Sequence, residues 1–250
     1  MALTKVICVG LLFAGALAAR SVAAPVDLSD LAARIEYGYY ANEPRLIEAA
    51  RDELMRSGDV DSGVSYYRAL AAFRLAQLRL AHGASLGPFL EDCEAPSWAE
   101  KAKGPAAAEA WILVAACANL AAHTEVLRSP LHQRRREQAL VKARELDPAN
   151  PRITVVEAWS ITLDAATESA DVRDRVTEVL KRALAGFDVW KSKQAEPPDW
   201  GEAEALAELG AIYLARGATR DARDFIERAL LAAPDYDYAA KLRDRLRAAP

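Results

Sequence analysis

The sequence predicts an all-α chain of stacked antiparallel helix pairs, and three observations carry that prediction. Beyond residue 27 the chain is dominated by Ala, Leu, Arg and Glu in long stretches of 3.6-residue period. Alternating β-patterns are almost absent, and Pro and Gly punctuate the periodic stretches at short intervals. Near the C-terminus, small and apolar residues from Leu206 to Pro234 follow the spacing of a helix-turn-helix unit.

Ahead of the helices, Lys5 precedes an unbroken small and apolar run from Val6 to Ala19, followed by Arg20 and "SVAAPVD". A basic start, an apolar run too short to span a bilayer comfortably and a small-x-small exit describe a secretory signal peptide over residues 1–23. Cleavage after Ala23 uses Ser21 and Ala23 as the small pair and keeps Pro25 away from the scissile bond. An uncleaved anchor is the competing reading. Cys8 sits ahead of most of the apolar run, the wrong place for a lipidated cysteine.

Cleavage removes two of the 32 basic residues and none of the 36 acidic ones, moving the net charge from −4 to −6. A mildly acidic surface with interspersed signs argues against a nucleic-acid partner. The apolar stretch "AWILVAACANLAA" is interrupted by Asn119 and His123, so residues 24–250 are expected to be one soluble helical domain in the periplasm or outside the cell. Cys93 and Cys117 remain in it. In an oxidising compartment they can pair, since their helices are expected to be neighbours; otherwise they are two small buried hydrophobes.

Helices are expected near 28–41, 44–57, 62–82, 86–102, 106–127, 130–147, 151–168, 170–191, 201–216, 219–233 and 236–248, the last covering the end of the stack. Asn150 ahead of Pro151 supplies a capping side chain and a first-turn proline. Asp199 and Glu202 have the acid-x-x-Glu spacing of a capping variant. Gly217 suits a left-handed helix end, and Pro148 and Pro234 follow helices that cannot continue.

With Ala203 counted as position 1, Leu206, Leu209, Gly210, Tyr213, Ala222, Ile226, Ala229 and Pro234 fall at 4, 7, 8, 11, 20, 24, 27 and 32. This stretch, 203–236, resembles the tetratricopeptide repeat, which prefers Trp, Leu, Gly, Tyr, Ala, Phe, Ala and Pro there. A mid-helix glycine costs about 1 kcal/mol relative to alanine; close approach of the paired helices at Gly210 and Ala222 offsets it. Weaker copies end at Pro148, with Leu140 and Ala143 in register but Arg136 and His123 out of it, and between Pro151 and Asp188. In the latter, Leu163, Val176, Leu180 and Ala183 fit, while Asp164 stands where the glycine would be.

"LDPANPR", "ALAGF" and "PPDWGEAEALAELG" together resemble a group of exported bacterial tetratricopeptide-like proteins, over roughly residues 106–236. The resemblance implies a right-handed α-solenoid of about five helix pairs, a partner-binding scaffold without catalytic residues.

Catalytic signals are poor. His82, His123 and His132 lack metal-ligand spacing. Asp59 and Asp61 begin a calcium-loop pattern that fails at Val64 and Leu70. Neither a nucleophile elbow nor a phosphate or dinucleotide loop occurs, so no cofactor and no metal are expected. Carboxylate pairs such as Glu202 with Glu204 and Asp221 with Asp224 read as solvated faces. Arg134, Arg135 and Arg136 point about 100° apart on a helix and form no flat basic patch.

The aromatics are the partner-binding candidates. Tyr37, Tyr40, Tyr66, Tyr67, Trp111 and Trp159 lie on first helices of pairs, which line the concave groove in tetratricopeptide arrays. Each also fits a core role. Glu204, Ala207 and Ala211 would face that groove, acidic and small, which excludes a clamp for a peptide carboxylate. The leading expectation is a non-catalytic scaffold holding a protein or peptide in the groove. The alternative is a module for a small ligand or an envelope polymer such as peptidoglycan, which a deep apolar pocket with converging polar groups would favour. An enzyme would need a buried, perturbed acid near Asp164 or Tyr37–Tyr40. Homo-oligomerisation through the repeat edges is also open.

Overall fold

The computed structural model describes residues 27–57, 61–81, 83, 86–191 and 200–248. The expected signal peptide, Gly58, Asp59, His82 and Asp199 lie outside the described residues. Twelve α-helices are described: α1 (Leu28–Tyr40), α2 (Pro44–Arg56), α3 (Ser62–Ala81), α4 (Gly87–Glu94), α5 (Pro96–Ala99), α6 (Pro105–Thr124), α7 (Ser129–Leu146), α8 (Pro151–Trp159), α9 (Ala170–Lys191), α10 (Glu202–Ala215), α11 (Thr219–Ala232) and α12 (Asp237–Ala248). Two short 3₁₀ turns, Val126–Arg128 and Ala165–Thr167, join them, and no strand occurs among the described residues.

Local chemistry sets most of the boundaries. Asp27 accepts from the backbone N–H groups of Ser29 and Asp30 at 3.0 and 3.2 Å and starts α1. Pro44, Pro96, Pro105 and Pro151 each begin a helix where a missing N–H is harmless. Asn150 caps α8 through the N–H of Arg152 at 3.1 Å. Gly217 adopts φ 72° at the end of α10. Asp61 accepts from the N–H of Gly63 at 2.7 Å, so this acid starts α3.

Two expected helices are broken. The one near 86–102 splits because Pro96 holds Ala95 in an extended conformation, ψ 121°. The one near 151–168 ends at Trp159. There the Ser160 hydroxyl turns back to donate to the Glu157 carbonyl at 2.7 Å, and Thr162 Oγ1 accepts from the N–H of Asp164. These side chains compete with helical bonding. Leu163 and Asp164 are therefore not helical, and the close helix approach that a glycine would serve there does not arise.

The helices pack as antiparallel pairs, α1 with α2, α3 with α4, α6 with α7, α8 with α9 and α10 with α11, and α12 covers the last pair. The chain is thus an all-α, tetratricopeptide-like stack. Its clearest repeat is α10–α11. A Cβ on Gly210 would sit 2.6 Å from Ile226 Cγ1 and 3.4 Å from the Ile226 backbone nitrogen. Ala222, Ile226 and Ala229 have no exposed surface. Ile226 is branched and fully enclosed, so it cannot swing aside. Gly210→Ala is accordingly expected to lower stability by about 1–2 kcal/mol, overpacking exceeding the propensity gain of about 1 kcal/mol. Urea unfolding of the variant checks the sign.

α6 is the centre of the core. Its stretch Ala106–Thr124 has a mean hydropathy of 1.3, and 89% of that stretch is buried inside the protein. Cys117 on α6 is disulfide-bonded to Cys93 on α4, with their Cα atoms 5.9 Å apart. Beside it, buried His132 on α7 lies between the carboxylates of Glu94 and Glu125, at 2.8 and 3.2 Å. Arg135 pairs with Glu94, Arg136 reaches Asn119, and Arg134 is exposed, so the three arginines do point apart.

Candidate functional site

The first helices of successive pairs do not line an open groove. Tyr39 and Tyr40, at the end of α1, meet Tyr236 at the start of α12, with ring centroids 6.1 and 5.0 Å apart. The Tyr40 hydroxyl donates to Glu204 on α10 at 3.1 Å. Trp200 Nε1 donates to the hydroxyl of Tyr66 on α3 at 3.1 Å. The N-terminal helices thus close against the C-terminal ones.

What remains inside is a cavity of about 690 Å³, walled by α1, α3, α6, α8, α10 and α12. Its apolar lining includes Phe73, Leu120, Trp159 and Ala211. Its polar groups converge from Gln77, Asn119, Asp164, Glu204 and Glu208. Leu163 and Tyr238 are 37% and 42% exposed and line the same cavity, marking its mouth between the Ala165–Thr167 turn and α12. A second, smaller cavity of about 260 Å³ lies beside Glu36, Tyr37 and Glu202.

Two buried arginines hold the closure. Arg74 on α3 has no exposed surface and bridges Glu36 on α1 at 3.0 Å and Glu204 at 2.7 Å. Its guanidinium lies 3.8 Å from the Tyr39 ring centroid. Burial works against its charge, but the carboxylates of Glu36 and Glu204 prevail and hold its pKa well above the ordinary value. Arg152 on α8 donates through Nε to the Trp200 carbonyl at 2.7 Å and pairs with Glu109 at 3.3 Å.

Glu208 is the perturbed acid of the cavity. Its Oε2 accepts from Trp159 Nε1 at 3.2 Å, while its Oε1 is shielded from solvent without a hydrogen-bond partner. Burial pushes its pKa up to about 8; the Trp159 bond opposes this and the Asp164 charge reinforces it. Trp159 is itself fixed, stacked on Trp200 with centroids 6.2 Å apart and its carbonyl bound by Asn119 at 3.0 Å.

The sign of the linkage follows from the raised pKa. Glu208 is neutral in folded and unfolded chains below its ordinary value of 4.5, so it costs nothing there. Between pH 4.5 and about 8 the unfolded carboxyl ionises more readily, and stability falls. Glu208→Gln is expected to match the parent near pH 4 and exceed it at pH 9 by on the order of 2 kcal/mol, discounted for partial exposure. Thermal unfolding at the two pH values measures this.

Of the six aromatic candidates, only Tyr40 and Trp159 line the main cavity. Tyr66 and Trp111 are core residues, 9% and 7% exposed. Tyr67 is partly buried against the core and edge-on to Tyr66. Tyr37 is half exposed beside the smaller cavity. Glu204, read as a solvated face, is instead buried and bonded to Arg74 and Tyr40. Glu208 went unnoticed in sequence, although it lies one turn beyond Glu204 and one before Ala211 on the same stripe of α10.

An acid beside an indole N–H can bind a donor or a cation. The partner of Glu208, an indole N–H, has no proton-accepting site, so no acid–base relay runs through it. No family model matches the chain, and no curated protein does. Among solved structures the chain is similar to TTC0263, a thermophilic TPR protein of Thermus thermophilus. The two are 18% identical with a TM-score of 0.47, over 89% of this chain and 98% of that one.

Proposed function

We propose that the protein is an exported, non-catalytic binding module that takes its ligand into the central cavity. Closure of α1 against α10 and α12 carries this reading, because it turns a concave face into a half-open apolar pocket with converging polar groups. The volume of about 690 Å³ suits a small molecule or the end of a peptide rather than a folded surface. The Cys93–Cys117 disulfide supports an oxidising compartment, in keeping with the expected signal peptide.

A protein partner on the outer face is the second reading. Val126, Leu127 and Leu131, at the α6–α7 corner, are 78%, 98% and 55% exposed and favour it.

The experiment is uptake of a neutral apolar dye, N-phenyl-1-naphthylamine, by the full chain and by Ala166→Trp, which places a bulky ring at the mouth. Saturable fluorescence enhancement that the variant loses supports the cavity as the binding site. Equal uptake by both proteins, or none by the parent, overturns it. Protein recovered from cells and sequenced from its N-terminus tests export, with Ala24 expected first.

A further inference from the structure

The charges at the cavity wall are unequal. Asp164 and Glu208 have no ion-pair partner among the described residues, and Glu208 Oε1 lacks any donor. The basic groups at or behind the wall are already held: Arg74 lies between Glu36 and Glu204, and Lys241 Nζ is 2.6 Å from Asp237. Aromatic side chains line the same space: Tyr39, Phe73, Trp159, Tyr236 and Tyr238. Asp164, and Glu208 once it gives up its proton, place negative charge among aromatic rings, which favours a cation over an anion.

We propose that the cavity selects an organic ammonium, a protonated amine on an apolar body, with the ammonium at Glu208 and the body against Trp159, Phe73 and Leu120. This rests on the cavity being the binding site. A free amine and a peptide N-terminus carry the same chemistry.

Glu208 faces Trp159 and Asp164 from α8 and the turn after it, and Tyr238 from α12, with Arg245 near Tyr238. The Asp237–Lys241 pair is neutral, and Gln77 and Asn119 add no charge. At pH 7 the partly exposed Glu208 carboxyl keeps its proton, because the cavity wall pushes its pKa up to about 8. An arriving ammonium takes the place of that proton. The proton leaves to solvent, and the carboxylate formed accepts from the ammonium.

The test is calorimetric titration of the full chain at pH 7 with 2-phenylethylammonium, 2-phenylethanol and phenylacetate. The amine is expected to bind about tenfold or more tightly than the alcohol, and phenylacetate not at all. Glu208→Gln should reduce the amine to the affinity of the alcohol. Binding heats measured in buffers of different ionisation enthalpy should show close to one proton released, and none in the variant. The tripeptide Phe-Gly-Gly against its N-acetyl form assigns the source. Binding of the free peptide only, with no response to the small amine, points to a peptide N-terminus and still supports an ammonium site.

Alcohol or phenylacetate binding as tightly as the amine overturns the charge preference while the cavity stands as a binding site. So does amine binding that Glu208→Gln leaves intact. If no ammonium probe binds while N-phenyl-1-naphthylamine is taken up, the ammonium inference falls alone. If the dye fails too, both readings fall.

Discussion

Arg74→Met is expected to lower the unfolding free energy by about 3–5 kcal/mol, because it strands two carboxylates in a water-poor interior. The guanidinium has no exposed surface and satisfies Glu36, Glu204 and Gln77 at 3.0, 2.7 and 3.0 Å. Methionine keeps much of the volume and packs against the Tyr39 ring, so the loss reads out charge rather than a void. A triple variant that also carries Glu36→Gln and Glu204→Gln separates the two causes. With the carboxylates neutral it should regain much of the loss, since no uncompensated charge remains and the two amides cost only what their unmade hydrogen bonds cost. Urea unfolding of the parent, single and triple variants makes the comparison. A single variant within about 1 kcal/mol of the parent would show that Glu36 and Glu204 find other donors. The same variant should weaken dye uptake, because Arg74 on α3 ties α1 to α10 and so holds the walls of the cavity together.

The helices and the pairing were legible in sequence for a local reason. Periodicity, first-turn prolines and the glycine at 210 act over a few residues, or across one tight pair, and each leaves its mark in the letters. The break at Ala95 was equally local and follows from Pro96; a continuous apolar period masked it. The end of α8 was less visible, because Ser160 and Thr162 act through hydrogen bonds that any helix surface tolerates.

The closure left no such mark. Tyr40 and Glu204 are 164 residues apart in sequence, and Tyr66 and Trp200 are 134 apart. An arginine in an Ala-rich helix reads as a solvated face, and nothing local distinguishes fully enclosed Arg74 from Arg68, which lies on the same helix and stays partly exposed. The aromatic candidates all lie on first helices of pairs, yet only Tyr40 and Trp159 line the main cavity. Glu208 had a usable signal, its i, i+4 relation to Glu204, but its meaning depends on Trp159, 49 positions away on another helix pair.

Trp200→Ala is expected to be as costly as the loss of Arg74, about 3–5 kcal/mol, with a fall in Tm of roughly 10 °C. Trp200 is 1% exposed and sits where the two halves of the core meet. Its ring stacks on Trp159 and packs 6.2 Å from Phe73, its Nε1 donates to Tyr66, and its carbonyl accepts from Arg152. The backbone contact survives substitution; the ring contacts and the Tyr66 bond do not. Trp200→Phe keeps most of the ring and is expected to recover a large part of the loss, the remainder measuring the missing indole N–H at about 1–2 kcal/mol. Removing the stacking surface also frees Trp159, which is held against Glu208. Ligand or dye affinity should then fall in Trp200→Ala even below its melting transition, where the fold persists. If stability falls while affinity is unchanged, Trp159 is positioned by Asn119 and Glu208 alone, and the stack serves the core rather than the cavity.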